Sequence, residues 1–215
     1  MSRRFFTDDA VARRRGLDAA AGAIQRDELI VLPTDTVYGI GANAFSPPAV
    51  AALLDAKGRG RDMPVPVLVA APRVLDGLAF GVPPAGRVLV RAFWPGALTV
   101  VCTAQPSLQW DLGATGGTVA LRMPLHPVAL ELLEVTGPLA VSSANRSGEP
   151  AATSANEAID QLGDSVAVYL DAGSCDDPLP STIIDVTGDQ PRVLRLGALS
   201  LELLREVVPE LAAPA

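Results

Sequence analysis

The residues of this chain that could do chemistry are hydroxyl, amide and cationic side chains near the ends of short apolar runs. The uncharged hydrogen-bonding groups are Thr34, Thr36, Ser142, Ser143, Asn145 and Ser181. The cations are Lys57, Arg59, Arg61, Arg122 and Arg195. Charged hydrogen bonds from Lys and Arg suit phosphate and carboxylate oxygens. Brought together, this set would suit an anionic ligand with many oxygens, such as a nucleoside triphosphate with a carboxylate beside it.

A nucleophile and a base are not evident beside these side chains. His126, the only histidine, precedes Pro127 at a predicted helix start, where a capping or structural role is favoured over catalysis. A Ser-His-Asp relay or a histidine-based metal site is therefore disfavoured. Phosphoryl and nucleotidyl transfers need no such relay, because positioning and charge neutralisation can carry them while magnesium bridges the phosphates.

Lys57 stands out because it is the only lysine among 17 basic residues. A compact ammonium differs from a guanidinium as a point charge for a phosphate oxygen, so this lysine is a candidate phosphate ligand. Chance retention in an arginine-biased composition is the simpler explanation when the composition is considered alone.

Composition and charge exclude several classes of protein. The 215 residues are 49% hydrophobic and 19% charged, and no apolar run approaches the ~20 residues of a membrane span. The net charge of −7 argues against general nucleic-acid affinity, so any RNA contact must be local. The N-terminal segment carries charges where a signal peptide has its apolar core, so we expect a cytoplasmic protein.

Strand and helix patterns alternate along the chain, which predicts an α/β sheet layered with helices. A helix ending at Gly58 places Lys57 at its C-terminus. Closely spaced late strands predict that the sheet is partly antiparallel. Residues 1–208 are predicted to form one domain, followed by a short Pro/Ala-rich tail at 209–215. The predicted strands are "ELIVLP", "PVPVLVAA", "GALTVVCTA", "TVALRMP", "PLAVSSAN", "VAVYLDAG", "STIIDVTG" and "PRVLRLG".

Polar clusters recur at the ends of these strands, in "PTDTVY", "SSANRSG", "STIID" and "RLG". Ligands of open α/β sheets bind beyond the carboxyl ends of strands, so the clusters could converge on one pocket. Each cluster alone has an ordinary explanation as turn or cap chemistry. "GIGANA" formally fits a dinucleotide-binding pattern, but Pro33 to Tyr38 separate it from the strand and no helix pattern follows, so a Rossmann site is rejected.

Seven segments in order carry a resemblance to a known family: "VLPTDTVYGIGANAF", "DAKGRGRDMPVPVLV", "FWPGALTVV", "TVALRMPLHPVAL", "PLAVSSANRSGEP", "STIIDVTG" and "VLRLG". From about Arg13 to Leu204 the chain resembles the YrdC-like threonylcarbamoyl-AMP synthases. The resemblance implies a twisted, mixed parallel and antiparallel open sheet with helices packed on it and a concave, positively charged face. It also implies the short form of the family, without the extra C-terminal domain that some relatives carry.

The activity implied by the resemblance is a nucleotidyl transfer. L-threonine, bicarbonate or CO2, and ATP would give threonylcarbamoyl-AMP and pyrophosphate, the first step of N6-threonylcarbamoyladenosine formation in tRNA. A tRNA-modifying threonylcarbamoyl transferase complex would receive the product. Mg²⁺ would be held by the ATP phosphates, with no metal ligand from the protein.

Site residues are carried over position by position. The resemblance implies that Lys57 and Arg59 clamp the triphosphate and the carbamate and act in catalysis. The implied threonine pocket consists of Thr34, Thr36, Thr118, Arg122 and Ser181, with Arg122 on the carboxylate. The implied ATP contacts are Lys57, Arg59, Met63, Val141, Ser143, Asn145 and Arg195.

The chain departs from the family pattern after the K-x-R segment. Gly60 stands where many relatives have proline, Met63 where they have asparagine, and Leu68 where they have a histidine that helps to bind threonine. Leu68 has no hydrogen-bonding group, so the histidine contact to threonine is not implied for this chain. Leu196 also replaces a proline, which changes loop stiffness more than charge.

Two other readings are weighed against the synthase. One is a non-catalytic module for double-stranded RNA or tRNA, to which the basic run Arg13 to Arg15 could contribute; the acidic total and the lack of interleaved aromatic and basic residues count against it. The other is a carbamoyl-adenylate-handling domain of the hydrogenase-maturation type. Such domains sit in much larger chains with zinc-finger-like cysteine pairs.

Overall fold

The computed structural model describes residues 2–175 and 178–214, which form a ten-stranded sheet with helices on both faces. The strands are β1 (Arg3–Phe6), β2 (Ile30–Leu32), β3 (Gly39–Asn43), β4 (Val67–Leu68), β5 (Leu98–Thr103), β6 (Thr118–Arg122), β7 (Leu139–Ser143), β8 (Val168–Asp171), β9 (Thr182–Asp185) and β10 (Arg192–Arg195). The helices are α1 (Ala10–Gln25), α2 (Pro47–Lys57), α3 (Leu75–Leu78), α4 (Pro84–Phe93), α5 (Pro127–Thr136), α6 (Ala155–Leu162) and α7 (Leu201–Val207).

The sheet mixes parallel and antiparallel pairs in the order β1-β8-β2-β3-β7-β4-β6-β5-β9-β10. Strand β8 is parallel to both of its neighbours, and the pairs β4–β6 and β5–β9 are also parallel. The remaining neighbours are antiparallel. The predicted mixed sheet is confirmed, and its antiparallel share is larger than the late strands alone indicated.

Strand β3 falls on the "GIGAN" segment, which the sequence analysis did not assign to a strand. It pairs antiparallel with β2, with Leu32 opposite Gly39, so residues 33–38 form the loop of a hairpin. A Rossmann site would need a helix to begin there, so its rejection is confirmed. A side chain at position 39 would be crowded, because a Cβ atom there would lie 2.6 Å from Cγ1 of Val141 and one of the two would have to shift.

Helix α2 places Lys57 where the sequence predicts. Ser46 caps its start by accepting a hydrogen bond from the Ala49 amide, and proline follows at the first helical positions. The helix ends at Gly58, whose φ of 60° lies in the left-handed region that glycine adopts without strain. Lys57 is therefore the last residue of α2, and Gly58 sets the point at which the helix ends.

Two apolar clusters pack on the two faces of the sheet, because successive residues of a strand point to opposite sides. Helices α1 and α5 cover one face over β2, β7 and β8, while α2, α4, α6 and α7 contribute to the larger cluster on the other face. The segment after Pro209, expected to be a tail, packs against the sheet: Leu211 is buried, and Ala212 pairs with Arg192 at the edge of β10.

Candidate functional site

Lys57 extends from the end of α2 to the end of β7. Its ammonium donates to the carbonyl oxygen of Ser143, to the carbonyl oxygen of Asn145 at 2.6 Å and to Oδ1 of Asn145 at 3.3 Å. The Lys57 carbonyl accepts a hydrogen bond from the Ser147 amide at 2.7 Å. Only 3% of Lys57 is exposed. The lone lysine therefore joins α2 to the loop after β7.

Arg59 lies two residues further on and turns its guanidinium onto the same strand. Nη1 donates to Oγ of Ser142 at 2.9 Å, and Nε donates to the carbonyl oxygen of Met63 at 2.9 Å. The second contact also holds the loop that follows, and the Met63 side chain is exposed on it. Lys57 and Arg59 are thus brought together with the end of β7, as the sequence predicts.

The loop between β2 and β3 is folded by its own threonine hydroxyls. Oγ1 of Thr34 donates to the carbonyl oxygen of Val37 at 2.6 Å and lies 3.0 Å from Oγ1 of Thr36. Oγ1 of Thr36 accepts a hydrogen bond from Nη1 of Arg122 at 2.9 Å. The two threonines of the "PTDT" segment are buried and meet Arg122, although Arg122 is 86 residues away from Thr36 in the chain.

Arg122 is also held by a carboxylate and by a backbone carbonyl. Nη2 pairs with Oδ1 of Asp35 at 2.7 Å, and Nε donates to the carbonyl oxygen of Gly96 at 3.0 Å. Oδ1 of Asp35 also accepts from the Leu125 amide at 2.8 Å. The side chains of Arg122 and Asp35 are 8% and 14% exposed. Each guanidinium nitrogen therefore has one partner, and two of the five N–H groups make no hydrogen bond to the described residues.

Strand register extends the site from Arg122 across the sheet. Arg122 pairs with Leu68 of β4, and the β5–β6 register continues to bring Thr99 opposite Arg122. Thr99 in turn pairs with Ile183 of β9, which pairs with Arg195 of β10. Paired residues share a face of the sheet, so these five side chains form one row across it.

A bulge in β10 is what aims Arg195 at this row. The register shifts between Val193 and Arg195, so Leu194 is the extra residue. In a regular strand without the bulge, Leu194 and not Arg195 would lie opposite Ile183. Arg195 then donates from Nη2 to the carbonyl oxygen of Ser181 at 2.7 Å and lies 3.3 Å from its Oγ. Oγ of Ser181 is 2.8 Å from Oγ1 of Thr99. Ser181 and Arg195, predicted for the threonine and ATP ends respectively, are thus in hydrogen-bond contact.

Four cationic side chains lie in this site: Lys57, Arg59, Arg122 and Arg195 (the cation cluster). Burial, with repulsion from Arg59, lowers the pKa of Lys57 to about 8. Burial also lowers the pKa of the three arginines, with Asp62 opposing the shift at Arg59 and Asp35 opposing it at Arg122. Within the described part of the chain, Asp35 is the one carboxylate at ion-pair distance from any of the four. An anion would relieve this excess of positive charge.

The remaining predicted residues lie at different distances from the cation cluster. Asn145 lies at the cluster, and its amide donates to the carbonyl oxygens of Arg146 and Glu149. Ser143 lies at the end of β7, and Val141 is buried two residues before it. Thr118 begins β6, four residues from Arg122, and donates to the Thr115 carbonyl. At about 3.3 Å per residue, Thr118 lies roughly 13 Å along the strand from the Arg122 backbone.

Sequence reasoning missed Asp35 and Thr99. Asp35 lies inside the quoted "PTDT" segment, but its partner was not identified. Thr99 is a buried hydroxyl in an otherwise apolar strand. A polar residue in such a strand is a usable signal, because buried hydroxyls need a partner.

A cleft of about 400 Å³ lies against the β2–β3 loop, where Thr34, Asp35, Tyr38 and His126 contribute to its wall. Nδ1 of His126 is buried and, within the described residues, makes no hydrogen bond. Burial lowers the pKa of His126, which favours its neutral form. A larger groove of about 700 Å³ contains none of the predicted site residues, so its size alone does not mark it as the functional site.

Comparison with known proteins identifies the family of this chain. A family model named Sua5/YciO/YrdC, with the description telomere recombination, matches residues 22–197. The chain belongs to the Sua5/YciO/YrdC family. The matched region contains all the predicted site residues, from Thr34 to Arg195.

Relatives in the Sua5/YciO/YrdC family differ in length: one is about as long as this chain and another is much longer. A Mycobacterium tuberculosis protein, provisionally named threonylcarbamoyl-AMP synthase, is 58% identical over 208 residues, which cover 97% of this chain and 96% of that protein. The threonylcarbamoyl-AMP synthase of Pyrococcus abyssi is 40% identical over 195 residues, which cover 89% of this chain and 57% of that protein. The chain thus spans little more than half of that second relative.

Solved structures of the Sua5/YciO/YrdC family agree on the fold. Pyrococcus abyssi Sua5, crystallised in complex with L-threonine, matches with a TM-score of 0.91 at 35% identity, covering 99% of this chain and 62% of that one. Escherichia coli YciO matches with a TM-score of 0.84 at 23% identity, covering 95% of this chain and all of that one, which supports the fold alone. In the described residues, no helix combines the length and apolar character needed to cross a membrane.

Proposed function

We propose that this chain is an L-threonylcarbamoyl-AMP synthase. L-threonine, bicarbonate or CO2, and ATP would be converted into threonylcarbamoyl-AMP and pyrophosphate, as the first step of N6-threonylcarbamoyladenosine formation in tRNA. The observation that carries the proposal is the cation cluster around one neutralised carboxylate, in a member of a family that includes a Sua5 crystallised with L-threonine. Such a cluster suits a substrate pair with a carboxylate and a triphosphate.

The threonine end of the site is assigned to the β2–β3 loop and the row of paired strands. Arg122 has two uncommitted N–H groups for the threonine carboxylate, and Asp35 and Thr36 fix its orientation. Thr34, Ser181 and Thr99 supply hydroxyls near it. Leu68 pairs with Arg122 and is 4% exposed, so an apolar side chain fills the place of the family histidine. That side chain would face the methyl group of threonine without a hydrogen bond.

The ATP end is assigned to the end of β7 and the loop after α2. Arg59 and Arg195 present cations, and Arg59 lies close enough to lower the pKa of Arg195. Ser143, Asn145, Val141 and Met63 border the same region. The one carboxylate paired within the cluster, Asp35, is engaged by Arg122. We therefore assign Mg²⁺ to the phosphate oxygens of ATP, where it would bridge phosphates and neutralise charge.

The reaction follows from this arrangement. The neutral threonine amine bonds to the carbon of CO2 and releases one proton to solvent water, which leaves a carbamate. A carbamate oxygen then bonds to the α-phosphorus of ATP, and the bond to the bridging oxygen breaks to release pyrophosphate. Positive charge fixed before the reaction stabilises the charge that develops, typically by a few kcal/mol for each contact. Arg59 is the residue best placed to supply it, with Lys57 behind it.

An RNA-binding module is not favoured by the surface arginines. Arg13 pairs with Glu131 and donates to the Thr7 carbonyl, while Arg14 pairs with Asp18 on the same helix. Two of the three arginines at positions 13–15 are therefore neutralised by carboxylates of this chain. We assign the product to a tRNA-modifying threonylcarbamoyl transferase complex and the reaction to the cytoplasm.

The test is direct detection of the product. The purified protein is incubated with ATP, Mg²⁺, L-threonine and ¹³C-bicarbonate, and the nucleotides are separated at once for mass spectrometry. The proposal expects threonylcarbamoyl-AMP that carries the label in its carbamoyl carbon. AMP without any adduct would contradict it, and so would carbamoyl-AMP formed in a parallel reaction in which carbamoyl phosphate replaces threonine and bicarbonate.

A further inference from the structure

Lys57 is held by more partners than a residue that must reach a substrate. Its ammonium has three N–H groups, and the structure gives it three acceptors: the carbonyl oxygens of Ser143 and Asn145, and Oδ1 of Asn145. To reach a phosphate, the ammonium would have to release at least one of them. A buried carbonyl left without a donor costs free energy comparable to a lost hydrogen bond.

The neighbouring arginines differ in this respect. Nη1 of Arg195 has no partner in the described residues, while its Nε and Nη2 are held by Ser181. Arg59 directs one bond from each of its three nitrogens to the protein, so two of its five N–H groups are uncommitted. Both guanidinium groups can therefore take a phosphate oxygen without breaking a contact.

The three acceptors of Lys57 lie in the segment that the site needs in place. The Ser147 amide bonds to the Lys57 carbonyl, so Lys57 holds residues 143–147 by both its backbone and its side chain. The amide of Asn145 closes the same turn on the carbonyl oxygens of Arg146 and Glu149. Arg59, two residues beyond Lys57, bonds to Ser142 just before this segment.

We propose that Lys57 is a positioning residue: its ammonium fixes residues 143–147 against the end of α2, and the triphosphate is contacted by Arg59, Arg195 and that segment. This inference rests on the proposed ATP site. It predicts that arginine cannot substitute for Lys57, because a planar fork of donors does not meet three acceptors grouped at one point.

The test is a double-mutant cycle in threonine-dependent pyrophosphate release, with Lys57→Met, Asn145→Ala and the double variant. If Lys57 acts through Asn145, the double variant should have a kcat/KM for ATP within about threefold of the worse single variant. Lys57→Met should raise the KM for ATP about tenfold and change the KM for L-threonine far less. Losses that multiply in the double variant would instead show that Lys57 contacts the ligand itself. Equal KM values with a lower kcat would indicate a transition-state contact of Lys57 or a smaller active fraction, and either would overturn the proposal.

Hydrogen exchange of the nucleotide-free protein gives a readout that does not depend on activity. Lys57→Met should speed exchange of the Ser147 amide about tenfold or more, because the segment loses its tether. The matched control is Arg61→Ala, which removes a nearby exposed cation that pairs with Asp111 and should leave that amide unchanged. Unchanged exchange of the Ser147 amide in Lys57→Met would overturn the positioning role, whether or not the wild-type protein releases pyrophosphate. Absence of pyrophosphate release by the wild type would count against the proposed function alone.

Discussion

The surface of the molecule and the site use the same cationic side chains in different ways. On the surface, Arg14, Arg26 and Arg87 are exposed and each pairs with a carboxylate of this chain. In the site, Lys57, Arg59 and Arg195 donate to carbonyl and hydroxyl oxygens, which orient them without neutralising their charge. Exposed pairs contribute about 0–1 kcal/mol to stability. Lys57, Arg59 and Arg195 therefore keep an unneutralised charge within hydrogen-bonded positions, which suits them to an anionic ligand.

Arg122 combines both patterns, so breaking its contacts should have the largest effect. Arg122→Met removes the proposed ligand of the threonine carboxylate and leaves Asp35 as an unpaired, mostly buried carboxylate. Breaking a buried pair in this way costs about 3–5 kcal/mol of unfolding free energy. We expect that loss in urea unfolding, together with loss of threonine-dependent pyrophosphate release.

The double variant Asp35→Asn/Arg122→Met separates these two effects. Removing both charges should recover part of the stability, since no unpaired carboxylate remains, whereas activity should stay absent. A single Arg122→Met variant that keeps wild-type stability would contradict the description of Arg122 and Asp35 as a mutually dependent pair.

Lys57 should make stability and activity respond to pH in opposite directions. Its pKa in the folded protein is about 8, against an ordinary value of 10.5, so the folded state binds fewer protons than the unfolded state between these values. The free energy of unfolding of the wild type should therefore rise relative to Lys57→Met across that interval. Turnover of the wild type should fall above pH about 8, because the neutral amine has one donor fewer for its three acceptors.

Urea unfolding and turnover on both sides of that pKa check this prediction. Arg59 is the charged neighbour that contributes to the shift after burial, so Arg59→Met should move the falling limb of activity to higher pH. The same limb in the Lys57→Met variant would contradict its assignment to Lys57.

Thr99 should have a smaller effect, confined to the substrate end. Thr99→Val keeps the shape of the side chain but removes the hydroxyl that lies 2.8 Å from Oγ of Ser181. Loss of one neutral hydrogen bond costs about 1 kcal/mol, so we expect the KM for L-threonine to rise about fivefold. The control is Thr103→Val, an exposed threonine at the end of the same strand. Equal effects of the two substitutions would remove Thr99 from the site.

Arg61 should have the smallest effect. Although it lies two residues from Arg59, it is exposed and pairs with Asp111, so it belongs with the surface arginines. Arg61→Ala should change the free energy of unfolding by less than about 1 kcal/mol and leave turnover nearly unchanged. A loss of turnover comparable to that of Lys57→Met would erase the distinction between surface and site cations.

The sequence predicts the elements better than their contacts. Runs rich in β-branched residues predicted eight strands correctly, but β1 reads "RRFF" and β3 reads "GIGAN", and neither has the pattern of a strand. Glycine enters β3 because Val141 fills the space beside position 39, a contact with a segment about one hundred residues later. Long-range packing of this kind overrides local propensity and is not visible in a local pattern.

The site shows the same limit. Motif spacing indicated the set of cations and hydroxyls, but not that Asp35 neutralises Arg122 or that all three donors of Lys57 are occupied. The position of Arg195 depends on one extra residue in β10, and a shift of one residue turns a side chain to the opposite face. These relations depend on strand register and exact chain geometry, which residue types alone do not specify.

The most direct test of the central claim is pyrophosphate release by the purified wild-type protein with ATP and Mg²⁺, measured with L-threonine and bicarbonate together and with each omitted. The account predicts release only when both are present, since the carbamate that attacks the α-phosphorus needs both. Release that is independent of threonine, or none under any of these conditions, would contradict the claim that the cation cluster joins threonine to ATP.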